Sequence, residues 1–99
     1  MKNVKVKWFG ENEGGRKSPP PVGRYFSVAR FPDDKGWQNS AWSVVLELSS
    51  PEIIDGNKTS SGRLEFMMDN APQEKFEKCD FFEIYEGPRK VGLVYILGR

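Results

Sequence analysis

Ninety-nine residues, 37% of them hydrophobic, are enough for one domain with a thin core, which thirteen aromatic rings help to fill. No apolar run is long enough to span a bilayer, no basic start leads into a signal-like apolar segment, and one cysteine cannot form an internal disulfide, so a cytoplasmic protein is expected. The absence of histidine removes the commonest general base and metal ligand, and a net charge of +1 falls short of the footprint of a dedicated nucleic-acid binder.

In chain order, nearly every segment alternates with period two, the mark of half-buried strands. Val4, Val6 and Trp8 alternate with Lys5 and Lys7 in a first strand with one wet face. Residues 10–21 hold three glycines and three consecutive prolines and can be neither helix nor central strand. A second strand is predicted over residues 24–31, with Phe26 and Val28 as its apolar face and Ser27 and Ala29 opposite. Residues 32–39 read as a loop of turn formers. Residues 41–48 give the clearest strand, with Trp42, Val44, Leu46 and Leu48 on one side. Residues 49–61 read as a polar connection broken by Pro51 and Gly56, with Ile53 and Ile54 expected to anchor it to the core. Leu64, Phe66 and Met68 mark a fourth strand, and residues 69–78 leave room for one helical turn. The last two strands, residues 80–85 and 90–97, are joined by Glu86-Gly87-Pro88-Arg89, a hairpin by spacing. Six short strands at such intervals predict an all-β barrel or sandwich in a single domain, residues 1–99.

Charge is uneven: residues 1–30 carry seven Lys/Arg against two acids, and residues 31–69 three against seven. Two oppositely charged, solvated regions are the plain reading; a polarised binding surface is the other.

Two blocks carry a family likeness. Glu13-Gly14-Gly15-Arg16-Lys17-Ser18-Pro19 follows the first strand, and Phe82-Glu83-Ile84-Tyr85-Glu86-Gly87-Pro88-Arg89-Lys90-Val91-Gly92 closes the chain. Together they resemble the third, C-terminal β-barrel domain of translation elongation factor Tu, here without a GTPase, and the strand order between them matches. The resemblance implies a closed six-stranded antiparallel β-barrel. In the parent factor that barrel docks on neighbouring domains and on the nucleotide-exchange factor, and touches the T arm of aminoacyl-tRNA through the Glu-Gly pair that maps onto Glu86 and Gly87. This chain departs from the family at Pro88, where a second glycine stands, and at Lys17, where a histidine stands. Phe26 falls where the parent has a glutamine that contacts tRNA.

Gly14-Gly15-Arg16 could form an anion-binding nest of N–H groups beside an arginine fork; the plainer reading is a tight turn with positive φ. Ser18-Pro19-Pro20-Pro21 reads as a stiff connector rather than a groove ligand. Trp8 and Trp42 fall in core phase, whereas Trp37 sits in a polar loop, either as a binding anchor or folded back on a barrel end. Cys79, between Lys78 and Asp80, reads as a structural thiol. No phosphate loop, zinc ligand set or catalytic constellation is present, so neither an enzyme nor GTP binding is expected, and no cofactor or metal is implied. The candidate binding residues are Arg16, Lys17, Trp37, Glu86, Gly87, Arg89 and Lys90. The expected partner is another protein; the alternative is tRNA or other RNA, held through Lys5, Lys7, Arg16, Lys17, Glu86 and Arg89. No membrane partner is expected.

Overall fold

Alternation of apolar and polar residues gives each strand one face to hide, and a rolled sheet hides all of them at once. The computed structural model describes residues 2–32 and 41–98. Its elements are β1 (Lys2–Trp8), β2 (Gly23–Arg30), β3 (Trp42–Leu48), β4 (Glu52–Ile54), β5 (Asn57–Phe66), α1 (Glu74–Lys78), β6 (Phe81–Glu86) and β7 (Arg89–Ile96). The strands pair in the order β1-β7-β6-β2-β3-β5, every ladder is antiparallel, and β1 returns to pair with β5. The expected closed six-stranded barrel is therefore what the chain forms, with β4 added at the side of β5. Among the described residues no helix is long and apolar enough to cross a membrane.

Val4, Val6, Val44, Leu46, Leu64, Phe82, Ile84 and Val94 line the interior and are almost fully buried. Phenylalanines plug one end. Phe76, carried in by α1, stacks on Phe66 with ring centroids 4.2 Å apart, and Phe31 lies 4.8 Å from Phe82. At the other end Trp8 donates its indole N–H to the buried Ser60 Oγ at 2.8 Å and meets the Tyr25 ring edge-on at 5.4 Å. Trp8 is core as expected, Trp42 packs half-buried against it, and Cys79 is buried.

Three expectations are overturned, the first being that Met68 continues the buried face of the fourth strand: β5 ends at Phe66 and Met68 is 55% exposed. The phase of β2 is inverted: Ser27 and Ala29 face inward, and Phe26 is 53% exposed. The larger inward-facing rings decide this, because Tyr25 and Phe31 share the parity of Ala29 and plug opposite ends of the barrel. The segment 49–61 is not a core-anchored loop either. It contains β4 and the first half of β5, joined by Asp55-Gly56 with φ of 51° and 79°, the paired positive values of a type I′ hairpin turn. Asn57 and Lys58 precede Thr59, the first residue of β5 to pair with β1, so the hairpin tip overhangs the barrel rim. With no core beneath it, Ile53 is 73% exposed and Ile54 also meets solvent.

Gly62 pairs with both Val4 and Leu48 where β5 passes between its two neighbours, and a Cβ there would lie 2.4 Å from the Glu47 carbonyl oxygen. Gly62→Ala is expected to destabilise by about 1–3 kcal/mol through overpacking. That corresponds to a fall in Tm of about 4–8 °C per kcal/mol in a domain of this size, measurable by circular dichroism. An unchanged Tm would show that β3 and β5 separate without cost.

Candidate functional site

The loop after β1 and the β6–β7 hairpin, far apart in sequence, meet at the Trp8 end of the barrel. A 3₁₀ turn over Glu11–Glu13 ends at Gly14, whose φ of 81° permits the reversal. Three successive N–H groups then point back into the loop: Gly14 to Glu11 O, Gly15 to Gly10 O and Arg16 to Phe9 O, at 2.9–3.1 Å. Those donors are spent on backbone carbonyls, so the turn reading of the two glycines stands and the anion nest does not form. A Cβ on Gly15 would lie 2.2 Å from the Phe9 carbonyl oxygen, so only glycine lets the loop lie down on β1.

Arg16 and Glu86 are brought together, but they bind each other. The Glu86 carboxylate accepts from the Arg16 guanidinium and from the Tyr25 hydroxyl on a single oxygen. Arg16 also donates its Nε–H to Ser18 O at 2.9 Å and sits 5.6 Å from the centre of the Tyr25 ring. Both charged partners are about two-thirds buried, which makes this a lock between loop, barrel wall and hairpin rather than an open contact. Burial first, and then the hydrogen bond to Glu86, holds the Tyr25 phenol protonated to well above its ordinary value.

The other expected site residues disperse. Lys17 and Arg89 share a shallow hollow of about 200 Å³ with Glu11, Gly14 and Gly15, and neither has a carboxylate partner among the described residues. Gly87, with φ of 58°, and Pro88 turn the hairpin between Glu86 and Arg89. Lys90 lies on the outer wall 2.7 Å from Glu83 and over the Phe9 ring at 6.0 Å. Its hydrogen bond to Glu83 raises the ammonium pKa. Trp37 lies outside the described residues; the flanking Phe31 and Trp42 are in the aromatic plug at the opposite end from Glu86.

One exposed group escapes the sequence reading. Phe26, Val28 and Met67 lie on the outer side of β2, β3 and the end of β5, around a hollow of about 240 Å³ that reaches Ser43, Tyr85, Glu86 and Gly87. Phe26 stands directly across from Val45, and Met67 is 50% exposed. The signal was in β2 and the residue after it, which carry Tyr25, Ala29 and Phe31 on one parity and Phe26 and Val28 on the other. A strand apolar on both sides cannot bury both against one barrel core.

Comparison with known proteins returns no matching family model, no matching curated protein and no matching solved structure.

A raised Tyr25 pKa stabilises the fold fully below the unfolded phenol value near 10, and the contribution disappears as pH rises through the higher folded value. Wild type is therefore expected to lose stability over the alkaline limb, from about pH 10 upward, more steeply than Tyr25→Phe, in urea melts taken across that range. Absorbance at 295 nm should show a late-ionising phenol that Tyr25→Phe removes. Parallel alkaline limbs in the two proteins would show that the lock adds nothing to stability.

Proposed function

We propose that this chain is a non-catalytic docking module that engages another protein through the outer face formed by Phe26, Val28 and Met67. The observation that carries the reading is the exposure of Phe26 next to Met67 on a barrel whose core is filled without either. A half-exposed phenylalanine flanked by methionine and valine, beside a polar hairpin, has the make-up of an interface centre. Met67 adds an adaptable apolar surface. The likeness of the two end blocks to the third domain of elongation factor Tu supports the same role, since that barrel works by docking. The absence of histidine supports a non-catalytic role. Contact with a tRNA arm through the hairpin draws less support, because the Glu86 carboxylate is occupied by Arg16 and Tyr25.

The test is capture of partners from native lysate on immobilised chain, followed by titration of the purified partner. Phe26→Ala/Met67→Ala is expected to weaken binding tenfold or more, as loss of an interface anchor does, at unchanged or higher Tm. A partner that ignores this double variant and is lost with Lys17→Ala/Arg89→Ala would move the site to the hairpin hollow and sink the reading.

A further inference from the structure

We propose that the opposite wall of the barrel, the outer face of β1 and β7 with the start of β6, binds single-stranded nucleic acid. The inference is independent of the docking face, which lies across the barrel on β2 and β3.

Charge is the first observation. β1 and β7 are neighbours, and between them they carry Lys2, Lys5, Lys7, Arg89 and Lys90 without a single carboxylate. Lys2 is held by Glu77 and Lys90 by Glu83, but no carboxylate lies within ion-pairing distance of Lys5, Lys7 or Arg89 among the described residues. Lys5 and Lys7 alternate with the buried Val4, Val6 and Trp8, so both ammonium groups leave the same side of one strand. Their separation along the strand is about 7 Å, a step of the order of one nucleotide in an extended strand. Of the nearby acids, Glu83 is taken up by Lys90 at 2.7 Å and Arg30 at 4.0 Å; Asp55 lines the groove, Glu52 lies one strand beyond Thr59 from Lys7, and Asp80 precedes Phe81.

Aromatic exposure is the second. Lys5 stands directly across from Tyr95, and Tyr95 directly across from Phe81. Their rings are 40% and 44% exposed, with centroids 6.3 Å apart. Shape is the third. The overhanging β4–β5 hairpin makes a groove of about 210 Å³ along this wall, where Lys5, Lys7 and Tyr95 face Ile54, Asn57, Thr59 and one acid, Asp55. A backbone lying along β1 would put phosphates on Lys5 and Lys7 and turn its bases across the sheet onto Tyr95 and Phe81. Lysines tracking phosphates beside rings that take bases of any sequence are the two requirements of single-strand binding. An acidic peptide would meet the charge but leave the rings unused, and a duplex keeps its bases stacked away from them.

The experiment is fluorescence anisotropy of a labelled oligouridylate and an oligothymidylate across a salt series. Binding is expected at low salt. Its log–log salt slope should be about −2 for three phosphate contacts, on Lys5, Lys7 and Arg89, at about −0.7 each. Lys5→Ala/Lys7→Ala should bring that slope toward −0.7, whereas Lys78→Ala, on α1, leaves it unchanged. Tyr95→Ala should weaken binding about fivefold or more at an unaltered slope, and Tyr95→Phe should restore it. Phe26→Ala/Met67→Ala should have no effect, which separates this proposal from the docking one. The proposal is overturned by no single-strand binding at low salt, or by a Lys5→Ala/Lys7→Ala variant that behaves as Lys78→Ala. Equal affinity for a duplex of the same length, or equally effective competition by polyglutamate, would likewise overturn it.

Discussion

The ladder between β1 and β5 is the contact on which the rest of this structure depends. Six residue pairs, from Lys2↔Leu64 to Lys7↔Thr59, turn an open sheet into a barrel. Without them both strands would present unpaired N–H and C=O groups, the edges that invite association with other chains. Two features make the seam tight. Ser60 accepts the Trp8 indole N–H across it, and Gly62 lets β5 run close to β3 while it also pairs with β1. Closure also explains why the interior of the described residues is filled rather than hollow. A six-stranded barrel is filled by its own side chains, and here phenylalanines and Trp8 fill both ends.

Recognition chemistry is thereby pushed to the rim and the outer walls. At the rim, Arg16 and Glu86 neutralise each other and, with the Tyr25 hydroxyl, fix the loop to the last hairpin, so residues that look like contacts in the sequence act as fasteners. On the walls the side chains that the core did not need sort by chemistry. Apolar groups collect on β2 and at the end of β5, and the lysines of β1 lie beside the exposed rings of Tyr95 on β7 and Phe81 on β6. The two proposed surfaces face away from each other, so one chain could hold both kinds of partner at once.

Much of the fold was legible because it rests on local alternation. Val4-Val6-Trp8 and Val44-Leu46-Leu48 declare their buried sides without help. β2 did not, because Phe26 and Val28 compete with Tyr25 and Phe31, and only the ends of the barrel decide which rings are enclosed. Ile53 and Ile54 misled for a related reason: apolar character says what would gain from burial, not whether a strand overhangs the core. Asp55-Gly56 was the readable clue to that hairpin, outweighed by the polar residues around it. At the site, residue types were legible and pairings were not. Nothing local in Arg16 or Glu86 shows that residues seventy positions apart share a hydrogen bond.

The closing seam also sets an order of events in the cell. Among the described strands β1 pairs with β5 and β7, so it has no partner until β5, about fifty residues later, has been made. At bacterial-to-eukaryotic elongation rates the wait is on the order of 3–12 s. Throughout it β1 is a short amphipathic ribbon with both edges open and three lysines along it. Those lysines act as gatekeepers while the nascent chain waits, because edge charge discourages pairing with a neighbouring chain. Contacts so distant in sequence make closure the slow, entropically costly step of folding. The positive wall of the finished barrel is thus also what keeps its first strand out of trouble on the ribosome.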